Sequence, residues 1–423
     1  MTDLAIVRWI RELDENGAVG LARALILAEA SAHNLPLDGF TMSGRVKVAD
    51  EGIDGRTHFP EDSGVLLPKG PRVWQVKHGH TEPTTSREFN ARKHKGLLQA
   101  IRDGYNYVLF WTFDPEDPKR SRVESRFREA VRSIRDDAKV SFLFADQIEQ
   151  LCYAHLGALR QLPYIPLSGV VSLDVWAPDD FRSVAFQPDE NRTCIIEALR
   201  SHVSSLDQTP AELHVYGDTG VGKSRLVYEA LAVPGVDVRV LVAPDASSLD
   251  RRLLTLVAQS PERWLIVVVD DCDIEDRHSL APYVGMARGR IRLITIGSRG
   301  SREQPVADFR YREVLPLEVG ASKQIALSVG LEERDADLVA AYTEGYPGLA
   351  RTLALAIRYG EAASLIDRVR RHEQIGRVLS SPFSPKPTSY RSGCSRSSSG
   401  WASTMTWPKS CRSPATPWES RKP

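Results

Sequence analysis

The residues best suited to chemistry are Gly217, Gly220, Gly222, Lys223 and Ser224, which stand in Gly217-Asp218-Thr219-Gly220-Val221-Gly222-Lys223-Ser224. The stretch fits G-x-x-x-x-G-K-[ST], a loop that cradles phosphate. Its glycines let backbone N–H groups turn inward around a β-phosphate, and the helix that follows adds the positive end of its dipole. Lys223 would reach the β- and γ-phosphates, and the Ser224 hydroxyl would hold Mg²⁺. The flanks agree: Leu213-His214-Val215-Tyr216 reads as a buried strand, and Leu226, Val227, Ala230 and Leu231 recur at helical spacing. Strand, glycine loop and helix together imply a site for ATP or GTP, and ATP with Mg²⁺ is the expected cofactor pair.

A second acidic site belongs with it. Trp264-Leu265-Ile266-Val267-Val268-Val269 runs apolar without interruption into Asp270 and Asp271, as a strand buried on both faces of a parallel sheet does. Such a strand delivers its carboxylates to a ligand at its C-terminal end. This is the expected Walker B segment: Asp270 acts on Mg²⁺, directly or through water, and Asp271 positions the attacking water. A further strand, Arg292-Leu293-Ile294-Thr295-Ile296-Gly297, ends in Ser298-Arg299, placing Arg299 where it can read the γ-phosphate.

A different chemistry is suggested near the N-terminus. Arg45 to Gly55 and Arg72 to Gly79 read as two strands joined by a loop containing Pro60, Gly64, Pro68, Gly70 and Pro71. The side-chain period of two puts Gln75 and Lys77 on one face of the second strand, with Val76 on the other. Asp54 then meets them across the hairpin. A carboxylate can hold a hard cation, the cation can polarise a phosphodiester, and a lysine can steady the developing charge.

Glu51-Gly52-Ile53-Asp54-Gly55 followed by Gln75-Val76-Lys77 resembles the PD-(D/E)xK nucleases, most nearly their Mrr-like restriction endonuclease branch, in which glutamine takes the usual acidic position. The resemblance implies Asp54 as metal ligand, Gln75 as a ligand or the support of one, and Lys77 as the catalytic lysine. It also implies a glutamate from an N-terminal helix, Glu12 or Glu29. It covers roughly residues 1–160: a helical pattern over 4–33, a basic helix over 87–103, a strand at 107–111, a second basic helix over 120–137, and a strand at 140–144 leading into a helix from 146 to about 156. Basic helices beside such a site suit DNA, whose phosphates they would neutralise.

The double-acid Walker B segment, the strand ending Ser298-Arg299 and a later Gly345-Tyr346-Pro347 together resemble the STAND class of signal-transduction ATPases. That resemblance puts Pro347 near the bound adenine, and implies a helical subdomain (helices at 321–329, 332–342 and 349–359) and oligomerisation on activation.

These motifs require positioning elements. The expected fold class is α/β: a restriction-endonuclease-like α/β/α domain (1–160), an irregular proline-bearing linker (161–188), a parallel-sheet P-loop NTPase core (189–312) and a small helical STAND-type subdomain (313–379). In the core a helix capped by Asp189 or Asn191 precedes the P-loop strand, burying Ile195, Ile196, Leu199 and Val203. Residues 380–423 have a broken composition, with no Leu, Ile or Val after Ser380 but Trp401, Trp407 and Trp418. This tail reads as disordered or as the product of a shifted reading frame, in a relative of a longer protein whose C-terminal sensor is missing.

Composition narrows the rest. Lys and Arg total 55, as do Asp and Glu, so bulk charge steers the chain toward no polyanion and any DNA contact must be a local patch. Five scattered cysteines without a C-x-x-C pair suit a reducing compartment, and no apolar run approaches membrane-spanning length. The expected protein is cytoplasmic and has no membrane partner. The reading is an ATP-gated, Mg²⁺-dependent DNA endonuclease of a bacterial antiviral or restriction system, homo-oligomeric when active and triggered by a phage-derived protein. The alternative is a nucleotide-controlled DNA-binding or signalling ATPase with an inactive nuclease-like domain.

Overall fold

The computed structural model describes residues 6–37, 40–42, 52–161, 169–179, 181, 184–204, 211–260, 263–298 and 309–360. Glu51, Arg299 and everything from residue 361 on, the unusual tail included, lie outside the described residues.

The chain opens with two helices, α1 (Ile6–Arg11) and α2 (Glu15–Ala32), where the pattern over 4–33 predicts one. Asp14 separates them by accepting a 2.7 Å hydrogen bond from the Gly17 amide, the N-cap bond that starts α2. Three strands follow: β1 (Thr41–Met42), β2 (Gly55–Phe59) and β3 (Gly70–Lys77). Of the expected strand over 45–55, residues 45–51 lie outside the described residues; among the described residues the first strand of the hairpin runs Gly55–Phe59. Its alternation is Gly55, Thr57 and Phe59 inward with Arg56 and His58 outward, too polar to stand out as an apolar run.

The basic helix expected over 87–103 is also divided, into α3 (Thr85–Glu88) and α4 (Lys95–Arg102). Asn90 makes the break, its side-chain oxygen accepting from the Arg92 and Lys93 amides at 2.9 and 3.3 Å. Then come β4 (Asn106–Trp111), α5 (Asp117–Ile134), β5 (Val140–Leu143) and α6 (Ala145–Ala154).

The first sheet has the order β1-β2-β3-β4-β5, antiparallel from β1 to β3 and parallel from β3 to β5. Its two faces bury different partners. Val73, Tyr107, Leu109 and Trp111 pack with α4 and α5, whereas Trp74, Val76, Val108 and Phe110 pack with α1, α2 and α6. Gln75 and Lys77 share the Val73 face of β3 and so look toward α3 and α4.

The expected irregular linker carries structure. A 3₁₀ turn (Leu156–Gln161) precedes β6 (Val171–Ser172) and α7 (Leu173–Trp176), and β6 pairs antiparallel with β8 (Val240–Ala243). The remaining elements are α8 (Glu190–Ser204), β7 (Glu212–Gly217), α9 (Lys223–Leu231), α10 (Arg251–Gln259), β9 (Leu265–Val269), α11 (Ile274–Met286), β10 (Ile291–Ser298) and β11 (Phe309–Glu313). The second sheet runs β11-β7-β10-β9-β8-β6, parallel except for β6. Three helices close the described chain: α12 (Val319–Ser328), α13 (Glu333–Thr343) and α14 (Pro347–Arg358). None of the helices in the described residues is long and apolar enough to cross a membrane.

The two sheets share a core. Leu21, Leu25, Trp74 and Ile148 belong to one buried cluster with Leu241, Leu254, Val267 and Val269. At the junction, buried Glu29 accepts from the Leu66 amide at 2.8 Å and pairs with His155 Nε2 at 2.7 Å. Buried Arg239 lies beside it, within 3.4 Å of Ser31 Oγ, its guanidinium pushed down to about 10 by burial against the opposing pull of Glu29.

The second sheet also holds two buried histidines. Burial, with Arg292 nearby, holds His202 down at about 4, and burial with Arg277 holds His214 down at about 3. His214 Nδ1 lies 2.8 Å from Thr295 Oγ1, bridging β7 to β10. A depressed folded-state pKa means that the unfolded chain takes up the proton first as acid is added. The stability from neutral imidazole is thus complete above about pH 6.5 and falls away as pH drops toward 4. Thermal melting between pH 7 and 4 should show a progressive fall in Tm that is shallower in His202→Gln/His214→Gln; equal slopes in both proteins would contradict this.

Candidate functional site

The C-terminal ends of β7, β9 and β10 open into a cleft of about 480 Å³. Parallel register brings them level, Gly217 opposite Ser298 and Val269 opposite Thr295. Gly217 ends β7; Gly220 and Gly222 follow with φ of 82° and 97°, the left-handed region that glycine enters without strain. Gly222 caps α9, whose first two residues are Lys223 and Ser224. At Gly222 a β-carbon would also stand 3.2 Å from Pro347 Cγ, so backbone and proline approach closely here.

Lys223 Nζ donates to the carbonyls of Gly217 and Asp218 at 3.0 and 2.9 Å. Burial lowers its pKa, against the pull of Asp270, Asp218 and Asp271. The Ser224 hydroxyl donates to Asp270 Oδ2 at 3.1 Å, and burial raises the pKa of the Asp270 carboxyl. A half-buried cation and a half-buried carboxylate, each penalised for its charge, face one cleft. Phosphate would compensate the first and Mg²⁺ the second, and hydroxyl plus carboxylate oxygen is the donor set Mg²⁺ takes beside phosphate. The residues fit a Mg²⁺–triphosphate. Asp271 is exposed next to them with φ of 41°, a strained conformation for a non-glycine residue, and its amide donates to Asp270 Oδ1 at 3.0 Å.

The helical elements are tied to this loop. Pro347 lines the cleft at the start of α14, the Gly348 amide donates to the Gly220 carbonyl at 3.0 Å, and Tyr346 Oη donates to Asp218 Oδ2 at 3.0 Å. From α8, buried Arg192 bonds Asp189 at 2.6 Å, the Val221 carbonyl at 2.9 Å and the Leu315 carbonyl at 3.1 Å.

Sequence reading passed over several residues of the wall. Phe181, Val184, Phe186 and Gln187 line it from the supposed linker, and Arg351 and Thr352 line it from α14, one turn past Pro347. The i+4 spacing from Pro347 is the signal that could have found Arg351. Arg299 lies outside the described residues.

A second, polar pocket of about 400 Å³ lies on the α3–α4 side of the first sheet. Asp54, Gln75 and Lys77 all line it, as do Glu15, Arg87, Glu88, Lys93 and His94. Asp54 Oδ2 accepts from the Val76 amide at 2.6 Å. Lys77 Nζ pairs with Glu88 at 2.8 Å, and Glu88 is only 2% exposed. With the Gln75 amide turned to satisfy its neighbours, its oxygen accepts from Lys77 Nζ at 3.2 Å and its nitrogen donates to the Gly52 carbonyl at 3.3 Å. The N-terminal glutamate at this pocket is Glu15, not Glu12 or Glu29. Glu12 pairs with Arg8 on the surface, and Glu29 is spent at the junction with His155. Among the described residues no group of three or more His, Cys, Asp or Glu converges as a metal site. Glu88 was missed because nothing marks it in sequence; α3 has to fold back over β3 to present it.

No protein-family model matches the chain, and no curated protein matches it. Among solved structures it is similar to PCH-2 of C. elegans, with TM-score 0.35 and 9% identity over 48% of this chain and 73% of that one. Domain III of the Thermotoga maritima replication initiation protein DnaA gives 0.34 and 16%, over 44% of this chain and 91% of that one. A STAND protein with a tetratricopeptide repeat sensor from Pyrococcus horikoshii gives 0.27 and 13%, over 42% of this chain and 31% of that one. These are distant likenesses of less than half of the chain.

The cleft geometry makes a direct prediction. Lys223→Ala should weaken binding of fluorescent mant-ATP in the presence of Mg²⁺ by at least about 100-fold, since it removes a half-buried cation facing the phosphates. Titration by fluorescence anisotropy measures it, and unchanged affinity would argue against phosphate binding in this loop.

Proposed function

We propose that the protein is a Mg²⁺-dependent ATPase whose nucleotide state governs a phosphodiester-cutting domain acting on DNA. The observation carrying the first half is the convergence of Lys223, Ser224 and Asp270 on one cleft. In this reading Gly217, Gly220 and Gly222 shape the loop, Ser224 and Asp270 hold Mg²⁺, and Asp271 orients the water. Pro347 packs near the base, and Arg351 offers a cation from the helical part. Because Tyr346 and Gly348 bond the loop itself, hydrolysis at the γ-phosphate has a short route to α12–α14. Self-association on activation belongs to this reading.

The second half rests on Asp54, Gln75 and Lys77 lining one pocket. Mg²⁺ usually takes only one or two carboxylates from protein, with water and substrate phosphate completing its octahedron. Asp54 with Gln75 Oε1 suits that requirement. Lys77, held by Glu88, remains a positive charge beside the reacting phosphate. Arg87, Lys93, Lys95 and Arg102 lie around this pocket and its neighbour, giving the local basic patch that DNA backbone demands. By the resemblance drawn above, a cutter under nucleotide control suits bacterial defence, with a phage-derived protein as trigger.

A second reading has its own support. Lys77 and Asp54 already have partners within the pocket, which would equally suit a non-cutting DNA-binding or signalling module. Relaxation of supercoiled plasmid with Mg²⁺ and ATP separates the two. Wild type should nick, Asp54→Ala and Lys77→Ala should lose at least about 100-fold in rate, and Glu88→Gln about tenfold or more. No nicking by wild type, or nicking that survives all three substitutions, leaves the second reading standing.

A further inference from the structure

The geometry points to Trp176 as a positioning residue for Asp270, through which the segment leaving the first sheet is held to the ion site. This rests on reading the cleft as a Mg²⁺–nucleotide site.

Asp270 is a half-buried carboxylate whose ionised form needs donors. They come from three places. Ser224 supplies one from α9, reaching Oδ2 at 3.1 Å and Oδ1 at 3.4 Å. The Asp271 amide supplies one from the strand end, at 3.0 Å to Oδ1. The third is the indole N–H of Trp176, at 3.2 Å to Oδ2. Serine and aspartate amide belong to the two nucleotide motifs; the tryptophan does not.

Its anchorage explains why it stays there. Trp176 ends α7, directly after β6, whose Val171 and Ser172 pair with Val242 and Leu241 of β8. β8 in turn pairs with β9, the strand that carries Asp270. The indole meets Phe181 edge-on at 6.3 Å, and Phe181 packs on Tyr228 at 5.7 Å beneath the Arg225 guanidinium at 5.4 Å. Tyr228 and Arg225 are on α9. The ring is therefore wedged between the Walker B strand and the helix that follows the phosphate loop. Upstream, Gly169 packs so closely on the Ser248 carbonyl, in the turn after β8, that a β-carbon there would clash with it. Further back, the backbone at Gly157 touches that of Val238 and Arg239 beside α2. Residues 156–161 and 169–179, on either side of residues outside those described, thus both meet the second sheet's surroundings, and Trp176 reaches Asp270.

An indole N–H has one direction and no charge. It fixes the rotamer of the carboxylate without neutralising it, which leaves Asp270 free to serve a cation. Losing a hydrogen-bond partner of this kind typically costs about 10–100-fold in metal affinity. Conversely, an ion that immobilises Asp270 immobilises Trp176 and the residues attached to it.

The experiment uses the full chain, with mant-ATP as probe. Trp176→Phe keeps the aromatic packing on Phe181 but deletes the donor, and Trp176→His keeps a ring N–H. Binding in EDTA should be alike in all three proteins, whereas the Mg²⁺ concentration giving half-maximal enhancement should rise about tenfold in Trp176→Phe and less in Trp176→His. Hydrogen–deuterium exchange read by mass spectrometry should show amides of residues 170–179 protected by Mg²⁺–ATP over ATP with EDTA in wild type, with that difference lost in Trp176→Phe. Equal Mg²⁺ dependence and equal protection in wild type and Trp176→Phe overturn the role of Trp176 while leaving the nucleotide site intact. Failure of the wild type to bind mant-ATP at all overturns the nucleotide site, and this role with it.

Discussion

A hydroxyl at the start of a helix and a carboxylate just past the end of a strand must meet within hydrogen-bond distance at the edge of a buried parallel sheet. In this protein they are Ser224 and Asp270, 3.1 Å apart, and much of the architecture serves that contact. β10 lies between β7 and β9, the strands that lead into the two residues, so both pairings must be in register for the two ends to be level. Every residue of β7 and β9 is buried, and helices cover the sheet. One slipped residue would turn a core-facing side chain to the opposite face and withdraw the carboxylate from the loop.

The charged groups near that contact are kept by neighbours rather than by water. Arg192 is almost fully buried, a placement tolerated only because Asp189 and two carbonyls absorb its donors. Those carbonyls belong to Val221, inside the phosphate loop, and Leu315, where the chain leaves the sheet for α12. One guanidinium thereby ties helix, loop and the root of the helical part. Tyr346 and Gly348 close the same circuit from the other end. Two hydrogen bonds thus tie the loop directly to the start of α14.

The first sheet solves a different problem. Its β3 strand must bury Trp74 and Val76 against α1, α2 and α6 while presenting Gln75 and Lys77 to a polar pocket on the other face. Trp74 is held by its indole N–H on Thr57 Oγ1 at 2.8 Å, and this locks the alternation. Across the pocket, the backbone of Glu88 is fixed by His94 Nδ1 on its carbonyl at 2.5 Å and by Phe89, packed tilted against Tyr107 and edge-on to Phe127. The carboxylate that meets Lys77 is thus as firmly placed as the strand opposite. The two sheets are joined through α2, whose burial on nearly all sides places Glu29 at the junction with His155 and beside Arg239.

The phosphate loop, the apolar strand before Asp270 and Asp271, and the helices around Pro347 could be read from local pattern. Their chemistry lies in consecutive residues and in periodicities of two or 3.6, which neighbours in sequence already impose. The strand carrying Gln75 and Lys77 was legible for the same reason. What needed tertiary structure is everything made by distant segments. The strand at Gly55–Phe59 carries little apolar signal, because its outward Arg56 and His58 dilute it. The basic helix was cut by an Asx turn at Asn90, a local bond that periodicity does not register. Glu15 and Glu88 reached the polar pocket, and Glu12 and Glu29 did not, because chain reversal rather than spacing chooses which acid arrives. The stretch around Trp176 looked like an irregular connection, since its prolines and lack of periodicity say nothing about a two-residue edge strand. Only the packed sheet, by offering β8 an open edge and Asp270 an unmet acceptor, gave those residues a place.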